Sequence, residues 1–151
     1  MPDQLNSISP LDGRYNKDVA VLSHYFSESA LMRYRLQVEI EYLIALSNEN
    51  KITALPTIPN TVQTTLRKLY EKFDSRAARR IKKIEAQTNH DVKAIEQYLG
   101  EKLHKININK FIPWVHFGLT SEDVNNLAYS LMWRDGIKYI YLPRLNSLKK
   151  E

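Results

Sequence analysis

The sequence predicts an all-α protein, and three observations carry that prediction. Only four glycines and six prolines occur in 151 residues. None of them falls between Gly13 and Pro56 or between Pro59 and Gly100, whereas a small β-sandwich or barrel needs turn residues about every 8–12 positions. Within those stretches apolar residues recur at spacings of three and four, the period of a helix face. No Gly-x-Gly-x-x-Gly or Gly-x-x-x-x-Gly-Lys-[Ser/Thr] run occurs either, which excludes nucleotide folds built on glycine-rich loops.

Residues 1–15 read as an extended or looped arm, with Pro10 and Gly13 setting a turn ahead of Arg14-Tyr15. From Asp18 the pattern is helical, with Val19, Leu22, Tyr25 and Phe26 on one side. Ser27 then supplies an N-cap for a long second helix. Leu31, Tyr34, Val38, Tyr42 and Ala45 form one stripe there, and Met32, Leu36, Ile40, Leu43 and Leu46 an adjoining one. A face that wide calls for burial against at least two neighbours. Arg35 sits four residues before Glu39, the spacing of neighbours on a helix surface.

Residues 48–59 connect to a third helix marked by Val62, Leu66, Leu69, Tyr70 and Phe73, which stops near Asp74. A strongly basic stretch begins at Ser75, with Ala77, Ile81 and Ile84 as its apolar positions. A fourth helix is predicted from about Thr88, carrying Val92, Ile95, Leu99 and Leu103. Residues 105–113 read as a loop, and a fifth helix starts near Thr120 with Val124, Leu127, Ala128 and Leu131. Ile137, Ile140, Tyr141, Leu145 and Leu148 continue that pattern past a bend at Pro143 and into Lys149-Lys150-Glu151. No glycine cap closes it, as in a helix cut off in progress.

Composition narrows the function. With no cysteine, a disulfide framework, a thiolate zinc site and a cysteine nucleophile are ruled out. The start Met1-Pro2-Asp3-Gln4 is polar and unlike a signal peptide. The apolar runs are far short of a membrane span, so a soluble cytoplasmic protein is expected. Twenty-two Lys and Arg against seventeen Asp and Glu give a net charge of +5 and a pI near 9.3, compatible with anionic partners of several kinds.

Four groups of residues carry candidate chemistry. Thr88-Asn89-His90-Asp91 and Thr120-Ser121-Glu122-Asp123 share a Thr-x-x-Asp form ahead of an apolar helical run, the pattern of a capping box. Such first turns offer unpaired backbone N–H groups to phosphate or carboxylate oxygens. Asp91, Glu122 and Asp123 already place negative charge there, so neutral donors such as Asn89, Thr120 and Ser121 have to carry those contacts. His90 is the principal titrating candidate, and His116, between Trp114 and Phe117, reads as a partly buried, hydrogen-bonded core residue. Arg14 beside Tyr15 suits phosphate recognition. Residues 76–83 hold Arg76, Arg79, Arg80, Lys82 and Lys83, a nucleic-acid module in one reading. Those bases spread around the helix with no aromatic platform, which favours a solvated face with intersubunit salt bridges. No histidine pair has metal-ligand spacing.

Taken in order, Ser9-Pro10-Leu11-Asp12-Gly13-Arg14-Tyr15, Thr88-Asn89-His90-Asp91-Val92-Lys93-Ala94 and His116-Phe117-Gly118-Leu119-Thr120-Ser121-Glu122-Asp123-Val124-Asn125-Asn126 closely resemble the N-terminal part of the adenylosuccinate lyases, in the fumarase/aspartase superfamily. The resemblance covers essentially the whole chain. It implies an N-terminal helical domain of the fumarase/aspartase type over residues 1–112, followed over 113–151 by the start of the central helical bundle. It also implies a C–N lyase of purine nucleotide biosynthesis, eliminating fumarate from adenylosuccinate to give AMP and from the succinylocarboxamide ribotide SAICAR to give AICAR. A base takes a proton from the succinyl Cβ and an acid protonates the departing nitrogen, with no metal or organic cofactor.

By the same resemblance Arg14 and Tyr15 bind the nucleotide phosphate region, and Asn89, His90 and Asp91 line the substrate pocket, His90 in a supporting catalytic role. Thr120 and Ser121 hold the succinyl or fumarate carboxylates. The family's Thr-His-Gly segment and its Ser-Ser-x-Met-Pro-x-Lys-x-Asn loop, which supply the principal acid and base, do not occur in this sequence. The resemblance implies a homotetramer for the full-length enzyme and an inactive fragment for these 151 residues, with neither nucleic acid nor membrane as partner; the unpaired apolar helix end leads to the expectation that the fragment self-associates.

Overall fold

The computed structural model describes residues 6–150. The first five residues of the predicted arm, with the polar Met1-Pro2-Asp3-Gln4 start, and the terminal Glu151 lie outside the described residues. Those that are described form helices, turns and loops with no strand, and the predicted all-α class is correct.

Residues 9–15 fold into overlapping turns. Gly13 N–H bonds Ser9 O at 3.1 Å and Tyr15 N–H bonds Pro10 O at 2.9 Å. The first helical stretch is broken into α1 (Asn16–Val19), a 3-10 turn (Ala20–Leu22) and α2 (Ser23–Phe26). Ser27 adopts an extended ψ of 163° and accepts a hydrogen bond from Ala30 N–H, and this starts α3 (Glu28–Ser47). A helix of that length spans roughly 30 Å and forms the spine of the molecule.

The two apolar stripes of α3 enter two different cores. Met32, Leu36, Ile40 and Leu43 pack with Leu66, Ile81, Ile84, Ile95, Leu99 and Phe111. Tyr34 and Val38 pack with Val92, Val124, Ala128 and Met132. Ala45, predicted to share a stripe, is exposed, and Ile44 is buried in its place. Buried Ser47 ends the helix: its hydroxyl donates to Ile44 O and accepts from Ile58 N–H, which draws the connecting segment back onto the core through Leu55 and Ile58.

Then follow α4 (Asn60–Glu71), α5 (Ser75–Thr88) and α6 (Asp91–Lys105). Asp74 caps α5 by accepting from Arg76 and Ala77 N–H. Three bases of the 76–83 stretch find acids within the chain: Arg76 with Asp74, Arg80 with Glu101, and Lys82 with Glu28 and Glu85. Ile81 and Ile84 face the core. The expected start of the fourth helix at Thr88 is corrected. Thr88 closes α5, Asn89 takes the left-handed conformation (φ 53°) that terminates it, and His90 caps α6. The expected loop over 105–113 is also partly helical, since Asn109–Trp114 wind a 3-10 turn around buried Phe111.

α7 (Ser121–Gly136) lies along α3. Its continuation widens into a π-helical turn (Ile137–Tyr141) before α8 (Leu142–Leu148). Leu142 N–H reaches back five residues to Ile137 O. Pro143 lacks an N–H, and its ring would crowd the carbonyl four residues earlier in a regular helix; the wider turn absorbs that conflict. Gly136 lets α2 approach α7, because a Cβ there would stand 2.6 Å from the Phe26 ring.

Candidate active site

The site is built on one face of α3, where two charged residues interrupt an otherwise apolar surface. Arg35 is 5% exposed and Glu39 fully buried. One turn apart, they do not pair with each other; Arg35 reaches across to two other helices, and Glu39 to the loop before α7. Arg35 Nη2 lies 2.7 Å from Asp91 Oδ2 at the start of α6, and its Nε donates to Asn125 Oδ1 in α7 at 2.9 Å. A single guanidinium fork thus ties the beginnings of α6 and α7 together, as a planar five-donor group can and a lysine cannot. Beneath it, Val92 and Val124 from those same two turns pack on Tyr34 and Val38.

At the start of α6, His90 Nδ1 accepts the Lys93 N–H at 3.2 Å. A ring nitrogen that accepts carries no proton, so the neutral ring bears its proton on Nε2. Protonating Nδ1 would break the cap. The ring is half-exposed. Asp91 is differently committed: its Oδ1 accepts Val92 N–H at 2.8 Å while Oδ2 holds Arg35. Partial burial alone would push its carboxyl up, but the Val92 amide and the Arg35 guanidinium outweigh that and hold it below the ordinary carboxylate range.

At the start of α7 the capping box is complete. Thr120 N–H and Oγ1 both donate to Asp123 Oδ2, at 2.7 and 2.8 Å, and Asp123 N–H returns a bond to Thr120 Oγ1 at 3.4 Å. The Thr120 amide and hydroxyl keep the Asp123 carboxyl below its usual value. The Thr120 hydroxyl is therefore spent within the helix, and Ser121, partly exposed beside it, is the side-chain donor that stays available. Of the two Thr-x-x-Asp segments, only this one forms the predicted capping box.

A loop with two left-handed residues, His116 (φ 60°) and Gly118 (φ 74°), feeds this turn. Leu119 N–H bonds His116 O at 3.2 Å, and Tyr42 O–H donates to Phe117 O at 2.9 Å. His116 is partly buried and hydrogen-bonded, as the sequence suggested. Its Nδ1 lies 2.5 Å from Glu39 Oε1 and its Nε2 3.9 Å from Glu96 Oε1. Glu39 Oε2 is buried with no hydrogen-bond partner, the kind of group that costs about 1–3 kcal/mol.

Asn89, His90, Asp91, Thr120 and Ser121 are thus brought to adjoining helix starts. Arg14 and Tyr15 are not brought to them. They are exposed, with the guanidinium 5.4 Å from the Tyr15 ring centre, in a depression lined by residues 7–15 alone. Sequence reasoning missed Arg35, Glu39 and Asn125 as members of the site. The available signal was two charged side chains at helical spacing inside an apolar stripe.

The family model described as "Lyase" matches residues 13–151. The chain belongs to this lyase family. It is similar to the adenylosuccinate lyase of Legionella pneumophila (strain Corby), 43% identical over 142 residues covering 93% of this chain and 31% of the relative. It also resembles those of Dictyostelium discoideum (42% over 146 residues, 95% and 31%) and Escherichia coli strain K12 (39% over 140 residues, 92% and 31%). The chain thus spans about a third of the length of these relatives.

Proposed function

We propose that this chain supplies the substrate-binding N-terminal wall of an enzyme that eliminates fumarate from adenylosuccinate, giving AMP, and from SAICAR, giving AICAR. The observation that carries the reading is the pair of helix starts, Asn89–Asp91 and Thr120–Ser121, held side by side by buried Arg35. It is supported by the 39–43% identity to proteins named adenylosuccinate lyase.

In this reading Ser121 Oγ and the first amides of α7 hold a carboxylate of the succinyl group, where donors aimed at an anion gain from the helix dipole. His90 presents Nε2–H to the substrate while Nδ1 stays on its helix, so it acts as a hydrogen-bond donor supporting the reaction. Asn89, in its left-handed position, and Asp91, through Arg35, complete the wall. Arg14 and Tyr15 meet the phosphate region once their arm is brought over the pocket. Thr120 serves by shaping the turn. The principal acid and base lie in segments that this sequence does not contain, and active sites assembled from several chains at subunit corners supply them. Residues 1–112 constitute the helical domain and 113–151 begin the bundle of a cytoplasmic homotetramer of purine biosynthesis. Among the described residues no helix is long and apolar enough to cross a membrane.

The purified 151-residue chain releases no fumarate from adenylosuccinate above buffer background. Release that rises with the amount of chain would refute the assignment of chemistry to other segments.

A further inference from the structure

His116 stands in a backbone conformation that non-glycine residues seldom adopt, and such residues persist only where their surroundings hold them. What meets its ring is a carboxylate from α3, 77 residues away in sequence. Glu39 spends one oxygen on His116 Nδ1 and leaves the other buried without a partner. A carboxyl with nothing else to do and no access to water serves the residue it touches.

We propose that Glu39 is a positioning residue: through its hydrogen bond to His116 it sets the left-handed turn of loop 116–119, and so fixes where the first turn of α7 directs Ser121 and its amides. The connection is short. His116 O accepts Leu119 N–H, and Thr120 follows as the cap. Tyr42, one turn beyond Glu39 on α3, clamps Phe117 O from the same helix, so α3 holds the loop at two points. The imidazole is faced by Glu39 from α3, by Glu96 from α6, itself paired with Lys93, and by Asp123 from α7. Burial pushes the Glu39 carboxyl up while the His116 bond pulls it down.

The latch concerns this chain's own structure; only its consequence for carboxylate binding rests on the function proposed above. The test is amide NMR on the 151-residue chain, with the α5 signals as folding control. Glu39→Leu displaces the Gly118–Ser121 signals and leaves α5 unchanged. Glu39→Gln, which keeps an acceptor of the same shape, restores them. Unmoved Gly118–Ser121 signals in folded Glu39→Leu overturn the proposal. If that variant unfolds, His116→Gly, which removes the ring and accepts the same left-handed φ, is read instead, and unmoved Gly118–Ser121 signals in it overturn the proposal. Fumarate is then titrated into each chain, and Glu39→Leu weakens the response at Ser121 about tenfold. A wild-type chain that ignores fumarate contradicts the proposed function while the loop shifts still decide the latch.

Discussion

At Arg35 one side chain satisfies acceptors on two other helices, 90 residues away in the case of Asn125. Removing one partner of a buried ion pair costs about 3–5 kcal/mol, because the other is left uncompensated. Asp91 keeps solvent on one side, so Arg35→Met is expected near the low end, about 3 kcal/mol, in denaturant unfolding; a loss under 1 kcal/mol would show the fork to be incidental. Glu39 makes a pH prediction. Its carboxyl is raised by burial, so the native state holds that proton more tightly than the unfolded chain. The associated stability is present below the unfolded carboxyl's range and is lost as pH rises through the raised folded value. Glu39→Gln therefore gains on the wild type as pH rises through that window. Urea midpoints measured across it would instead keep a constant difference if the carboxyl were unshifted. In the sequence both residues stand out only as charges at helical spacing inside an apolar face; their partners are remote, and only the three-dimensional packing of α3 names them.

The elements were more legible than their junctions. The two stripes of α3, the Ser27 cap, and the helices around Val62–Phe73 and after Thr120 all follow from local spacing and capping chemistry, which act over one or two turns. Thr88-Asn89-His90-Asp91 was misread because a capping-box spacing does not say which residue leaves the preceding helix. Asn89 takes the left-handed position, and the cap passes to His90. The two segments should therefore respond differently to the same change. Thr120→Ala removes a side-chain cap worth about 1 kcal/mol, whereas Thr88→Ala costs less than half of that. Equal losses in paired unfolding curves would mean that the two starts are built alike. The π turn before Pro143 was equally unreadable, since a bend and a widened turn relieve the same ring clash.

For the whole molecule, the salient feature is the face left open along α7 and α8, where Leu127, Trp133, Ile137, Tyr141 and Leu148 are exposed. Apolar surface of that extent marks an interaction site, and the isolated chain is expected to self-associate. Sedimentation velocity should show a mass that rises with concentration; a monomer at every concentration would leave that face unexplained. In the proposed function the starts of α6 and α7 form one substrate-binding wall, with the chemistry supplied elsewhere. Its most direct measurement is an amide-resolved titration of the 151-residue chain with adenylosuccinate. Binding is predicted to move the signals of Asn89–Val92 and Ser121–Asp123 together, at one affinity, with no fumarate released. Shifts confined to Arg76–Lys83, or none at either helix start, would contradict it.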